Sequence, residues 1–352
     1  MRGVAWLLAA GVLLTTVAGC THTGRVATGA TGWVEEQVSF QAGGMMVYGT
    51  YRHPVGASPP VPAAVLIAGS GPTDRDGNDR TYPHMDTLRT VAGWLSDDGV
   101  ASLRYDKLGT GQTGTGPYAG RIADIGTDLY EQQAAGALAF LAARPEVRRG
   151  RLIAVGHSEG ALYALLLARG AAGQVPAIHA LALLEPLSWR FLDTIARQVD
   201  AQLTAQQQAG RITATQAQAY RDALNAAITQ LRATGTVPAS LPGGLSTLLS
   251  PAAAKYEAEV DRFDPADLVA RLPAHTPVLF SCGDADIQVS CADVDRLLAA
   301  AARPPLDPDP VHLTGVNHVL KEDASRTADY NKPVPFSHAL QQALHDFLKA
   351  HR

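Results

Sequence analysis

Residues 156–160 read Gly156-His157-Ser158-Glu159-Gly160, and the reading of the whole chain turns on them. An apolar run, Leu152-Ile153-Ala154-Val155, comes before, and Ala161-Leu162-Tyr163-Ala164-Leu165-Leu166-Leu167 comes after. That pattern is a strand, a sharp turn and a helix. Glycines two places before and two places after the serine keep the turn free of Cβ atoms that would meet the neighbouring strand and helix. The turn lifts the serine hydroxyl into the open. The helix behind it aims free N–H groups and a partial positive charge at the same spot. G-x-S-x-G between a strand and a helix is the setting of a nucleophilic serine.

Outward from this turn, strands and helices alternate. Ala63-Ala64-Val65-Leu66-Ile67-Ala68 is a continuous apolar run, as in a buried parallel strand. Residues 34–40 and 45–51 alternate like paired strands across Gly43-Gly44. Further strands are expected at 100–105, 151–155, 178–184, 277–281 and 311–313, with helices at 85–95, 122–143 and 336–348. Such alternation implies an α/β protein with a mostly parallel central sheet covered by helices on both faces. Residues 188–272 interrupt it. Leu192, Ile195, Val199 and Leu203 stand at helical spacing, Gly210 stops that helix, and Tyr220, Leu224, Ile228 and Leu231 continue in a second. A Pro/Gly-rich turn at 238–244 and a short helix at 251–260 follow. This stretch reads as a helical cap inserted between two parts of the core, 33–187 and 273–352.

A serine hydroxyl attacks a carbonyl only when a base removes its proton, and that base needs a carboxylate to hold its tautomer. Of eleven histidines, His318 follows the last expected strand in the loop Gly315-Val316-Asn317-His318. His312 lies within that strand, His338 on the terminal helix and His157 inside the turn. Asp286 fits the acid, in Gly283-Asp284-Ala285-Asp286-Ile287-Gln288-Val289 directly after the strand at 277–281. Asp284 and Glu185, the latter at the end of the preceding strand, are the alternatives. An oxyanion needs two N–H donors. The backbone amides of Glu159 and of Ser70, in the loop Gly69-Ser70-Gly71, are the candidates, while the Glu159 side chain reads as structural. The acidic loop 74–79 lacks the spacing and closing Glu of a calcium loop. Internal Asp–Arg pairing is its expected use.

With 352 residues, 46% hydrophobic and 18% charged, the chain is long enough for one large α/β domain and an insertion. A formal net charge of -4 with no basic stripe argues against nucleic acid as a partner. Residues 1–20 read as a signal peptide: Arg2, an apolar run of about fourteen residues that is too short for a span of ~20, then Val17-Ala18-Gly19-Cys20. The ending resembles a bacterial lipobox, so that Cys20 would carry the lipid and anchor an exported protein to a membrane. An ordinary secretory signal is the blander reading. Residues 21–32 are rich in Thr, Gly and Ala, as in a tether. Cys282 and Cys291 flank Asp286 and read equally well as a disulfide or as two buried thiols. No zinc motif is present and no metal or organic cofactor is expected.

The segments GSGPTDRDGN (69–78), SLRYDKLGTGQTG (102–114), GHSEG, PVLFSCGDADIQV (277–289) and GVNHVL (315–320) together resemble, in order, a subgroup of bacterial α/β-hydrolases that includes carboxylesterases of the Thermotoga esterase-D type. The resemblance spans about residues 34–350. It implies the α/β-hydrolase fold with a helical cap, and Ser158, Asp286 and His318 as a catalytic triad, with the Ser70 loop in the oxyanion hole. It also implies hydrolysis of short- to medium-chain carboxylic esters. Leu108 and Ala161 stand where many relatives have Arg and Gly, and the two cysteines around Asp286 are not a family feature. A peptidase, amidase or acyltransferase with the same triad is the alternative among enzymes. A non-catalytic surface-binding lipoprotein is the alternative of another class. Oligomeric state is not legible.

Overall fold

The apolar run before Ser158 is the middle of β5 (Val147–His157), a central strand of the sheet. The computed structural model describes residues 32–56, 59–170, 176–302 and 305–351. The signal peptide, Cys20 and the tether up to residue 31 lie outside the described residues. The other strands are β1 (Trp33–Ala42), β2 (Met45–Pro54), β3 (Val61–Ile67), β4 (Ala101–Tyr105), β6 (Ala180–Leu184), β7 (Pro277–Gly283) and β8 (Asp307–Leu313). Among the described residues they form one eight-stranded sheet in the order β1-β2-β4-β3-β5-β6-β7-β8. Pairings β1–β2 and β2–β4 are antiparallel and the other five are parallel. The α/β reading with a mostly parallel sheet therefore holds.

Side chains alternate across each strand, so neighbours face opposite layers. Val65, Ala154, Leu181 and Phe280 pack on one side, with α2 (Thr127–Ala142), α3 (Gly160–Ala168) and α8 (Cys291–Ala301). Leu66, Val155, Ala182 and Leu279 pack on the other, with α1 (Thr87–Asp97) and α9 (His338–His351). Helices thus cover both faces, which is why β3, β6, the second half of β5 (Leu152–Val155) and the start of β7 (Pro277–Phe280) are continuous apolar runs.

Between β6 and β7 lies the helical insertion, with α4 (Phe191–Gln208), α5 (Ala214–Thr234), α6 (Ala254–Val260) and α7 (Pro265–Val269). Leu192, Val199, Leu203, Leu224 and Leu231 close a separate apolar cluster with Leu245 and Leu249. Its helices are clamped by Asp261, which accepts from Arg190 and Arg232. From Val260 onward the chain returns to the main core, where Leu268, Val269 and Leu272 are buried.

Three of the differences from the sequence-based expectation have a plain physical reason. The helix expected at 122–143 is a 3-10 turn (Ile122–Asp124) and a separate α2. Glu259, from α6, accepts the Thr127 N–H at 2.9 Å and occupies the space beside Gly126, so the chain breaks there. Strand β8 begins four residues earlier than its apolar part, because it is an edge strand where Pro308 and Pro310 are tolerated. Helix α1 starts two residues late, after Asp86, which has φ 52° and exchanges hydrogen bonds with Asn78.

Two loops at the carboxyl edge are locked by buried ions. Arg75 donates to Asp106 at 2.6 Å, and Asp106 also accepts the Arg75 and Gln112 backbone N–H groups. Arg104 pairs with Asp76 at 2.6 Å and Glu35 at 3.1 Å. A buried pair of this kind adds little net stability, but loss of one partner strands the other at a cost of about 3–5 kcal/mol. The internal Asp–Arg pairing expected for loop 74–79 is instead pairing to β4 and the loop after it.

Candidate active site

Ser158 directly follows β5 at φ 55°, in the left-handed region that a residue with a Cβ avoids. Two backbone bonds hold it there: its N–H donates to the Leu184 carbonyl at 2.9 Å and its carbonyl accepts from Leu187 N–H at 3.0 Å. The flanking glycines are obligatory. A Cβ on Gly156 would come within 2.4 Å of the Gly160 carbonyl oxygen, and one on Gly160 within 2.1 Å of the Ile67 carbonyl oxygen.

Asp286 and His318 are brought together. His318 Nδ1 lies 2.7 Å from Asp286 Oδ2, and both residues are buried. The other carboxylate oxygen of Asp286 accepts the N–H groups of Gln288 at 2.6 Å and Val289 at 3.1 Å. An acceptor so fixed makes His318 Nδ1 the N–H and leaves Nε2 as the basic nitrogen. Asp284 is exposed and accepts the Gly315 N–H at 2.7 Å. Glu185 is buried and bonds to Ser281 and Gly283. Of the three candidate acids, only Asp286 contacts the imidazole of His318.

The serine turn and the histidine loop are tied by His157, whose role the sequence did not reveal. Its Nε2 donates to the His318 carbonyl oxygen at 2.7 Å, and the two rings stand 5.0 Å apart. Burial, then the His318 ring, push its pKa down to about 3, so it stays neutral. An unfolded histidine titrates near 6.5. Between those values the unfolded chain binds a proton that the folded chain refuses, so stability from this group is present above about pH 6.5 and falls as the pH drops. His157→Gln keeps a side-chain N–H but cannot titrate. Denaturant melts should show wild type losing about 3 kcal/mol relative to that variant between about pH 7 and pH 4. A difference independent of pH would contradict this account.

Of the expected oxyanion donors, Glu159 is the residue after the serine and Ser70 follows Gly69, which packs against that serine. Gly69 passes so close that a Cβ there would be 3.0 Å from Ser158 Cβ. Among the described residues, neither the Ser70 nor the Glu159 N–H donates to another residue, as expected for a loop and for the open end of α3. Lys107, also missed from sequence, donates to the Gly69 carbonyl. That carbonyl and the Ser70 N–H belong to one trans peptide and point in opposite directions. Holding one therefore aims the other. Burial, opposed by Glu159, lowers the Lys107 pKa to about 8. Glu159 itself is buried, its pKa raised by desolvation, and it accepts from the Tyr256 hydroxyl of α6. Tyr256 also contacts the Tyr163 hydroxyl at 3.0 Å. The Glu159 side chain thus joins the insertion to the core beside the serine.

Cys282 and Cys291 form a disulfide that closes the loop around Asp286. His312 lies beside it, with its donor atom within 4.8 Å of both sulfurs, but the sulfurs are bonded to each other. Among the described residues no helix is long and apolar enough to cross a membrane.

No family model matches the sequence. No curated protein matches it either. Solved structures do match. The esterase Pf2001 of Pyrococcus furiosus aligns with a TM-score of 0.55 at 16% identity, over 93% of this chain and 96% of its own. Est1E of Butyrivibrio proteoclasticus, with ferulic acid bound, aligns at 0.54 and 16% identity, over 89% and 98%. The α/β-hydrolase GrgF of a Penicillium species aligns at 0.55 and 18%, over 90% and 98%. At these identities the likeness is one of fold: the chain has the α/β-hydrolase fold.

Proposed function

We propose that this chain is a serine hydrolase that cleaves short- to medium-chain carboxylic esters through an acyl-enzyme on Ser158. The observation that carries the reading is the 2.7 Å bond from His318 to Asp286 on a loop tied by His157 to the serine turn. On this reading His318 Nε2 takes the Ser158 proton as Oγ bonds to the ester carbonyl carbon. The Ser70 and Glu159 N–H groups receive the oxyanion. Protonated His318 returns the proton to the departing alkoxide as the C–O bond breaks. Water, deprotonated by His318, then attacks the acyl-enzyme and releases the acid and free Ser158. No step calls on a metal or organic cofactor.

Two of the similar folds are esterases by name, which supports ester over amide. The cap, joined to the site through Tyr256 and Glu159, would bound the acyl pocket. Cleavage before Cys20 would leave that residue, with lipid on its sulfur, as the N-terminus that anchors the enzyme to a membrane surface, a role that two acyl chains are sufficient to fill. A panel of acyl p-nitrophenyl esters set against aminoacyl amides tests the assignment. Higher kcat/KM on the esters, peaking at short to medium acyl chains, is the expected outcome. Turnover of amides with the esters nearly inert would reassign the chain as an amidase.

A further inference from the structure

Glu185 sits at the end of β6, fully buried, at φ 45° and directly before Pro186. A non-glycine residue holds such a conformation only where its surroundings fix it. Here Ser281 Oγ accepts the Glu185 N–H at 3.2 Å and returns a bond to Oε1 at 3.3 Å, while the Gly283 N–H donates to Oε2 at 2.8 Å. The buried Asp286 side chain is the charged neighbour that acts on it. Gly283 and Asp286 belong to one turn, since the Asp286 N–H donates to the Gly283 carbonyl at 3.2 Å. Among the described residues, no cation hydrogen-bonds to Glu185. An ionised carboxylate in a dry site, facing a second carboxylate and no cation, would be very costly, and such a group takes up a proton instead. Two carboxyls that close share one proton between them.

We propose that Glu185 is a neutral carboxylic acid that donates its proton in a hydrogen bond to the Asp286 carboxylate, and so positions Asp286 against His318. The inference rests on the serine-hydrolase reading and adds a fourth member behind its acid. Desolvation, then the Asp286 charge, pushes the Glu185 pKa well up, in the same direction. Glu185 acts through Asp286 and touches no reacting atom, so it is a positioning residue. Its donor leaves a single negative charge at the site and completes a shell around Asp286 made of Gln288, Val289 and His318.

Glu185→Gln keeps an acceptor for the Gly283 N–H and a donor for Asp286, and removes only the ability to ionise. It should retain kcat/KM within about threefold, with an unshifted acid limb in the pH–rate profile. Glu185→Met keeps the bulk and loses the donor. Its kcat should fall on the order of tenfold to a hundredfold with KM unchanged. A second readout needs no turnover: the infrared difference spectrum of wild type against Glu185→Gln at neutral pH should contain a protonated-carboxyl C=O band. Absence of that band, or an acid limb displaced to lower pH by Glu185→Gln, overturns the proposal, because either outcome means that Glu185 is charged. If Glu185→Met fails to fold, the Gln variant and the infrared band decide alone. Should wild type prove inert to esters and to fluorophosphonates while the band is present, the hydrolase reading fails and with it the positioning role, but not the shared proton.

Discussion

Ser158→Ala is expected to lower kcat on esters by roughly 10⁵–10⁶-fold, leaving only what binding and the oxyanion donors supply without a nucleophile. Ser158→Gly should be as inactive, and the pair differ in a second way. At φ 55° an alanine Cβ meets the same steric cost as serine, and glycine does not. The glycine variant should therefore be the more stable of the two by about 1 kcal/mol in denaturant melts. The gain would measure the strain that holds the hydroxyl clear of the turn. A rate for Ser158→Ala within about a hundredfold of wild type would remove Ser158 from the reaction.

Asp286→Asn should cost about 10⁴-fold in kcat with little change in KM. The reason lies in how its carboxylate is held. Oδ1 accepts the Gln288 and Val289 N–H groups, so an asparagine must turn its carbonyl oxygen that way. Its NH2 group then faces His318 Nδ1, 2.7 Å from where Oδ2 stood. Two donors cannot face each other. His318 would move its proton to Nε2, and the base that Ser158 needs would be gone. Asp284→Asn is the control, since that carboxylate is exposed and, among the described residues, accepts the Gly315 N–H alone. Its kcat should stay within about threefold of wild type. A large loss there, with none in Asp286→Asn, would transfer the acid role.

What the sequence disclosed was what local spacing encodes. The turn at Ser158 needs glycine at two fixed offsets, and the central parallel strands carry continuous apolar runs such as Ala63–Ile67, Leu152–Val155 and Ala180–Leu184, so both can be read in a short window. His318 and Asp286 could be chosen because each sits directly after a recognisable strand. The supporting contacts were not legible because they join residues far apart in the chain. His157 reaches the His318 carbonyl across 161 positions and Tyr256 reaches Glu159 across 97. Lys107 looked like one more loop lysine, and its target is a carbonyl, which leaves no mark on side-chain pattern. Glu185 was weighed as the acid itself. The fold puts it behind Asp286, a distinction that depends on which carboxyl points at the imidazole. The break between the 3-10 turn and α2 was invisible for the same reason, since Glu259 acts on it from 132 residues away.

The central claim is that the Ser158 hydroxyl is activated by His318, and covalent labelling tests it most directly. Folded wild-type chain, treated with a fluorophosphonate and digested for peptide mass spectrometry, should carry one adduct on Ser158. The adduct should vanish in Ser158→Ala and form far more slowly in His318→Ala. A folded wild-type chain whose Ser158 stays unlabelled, or labels equally fast without His318, would contradict the account.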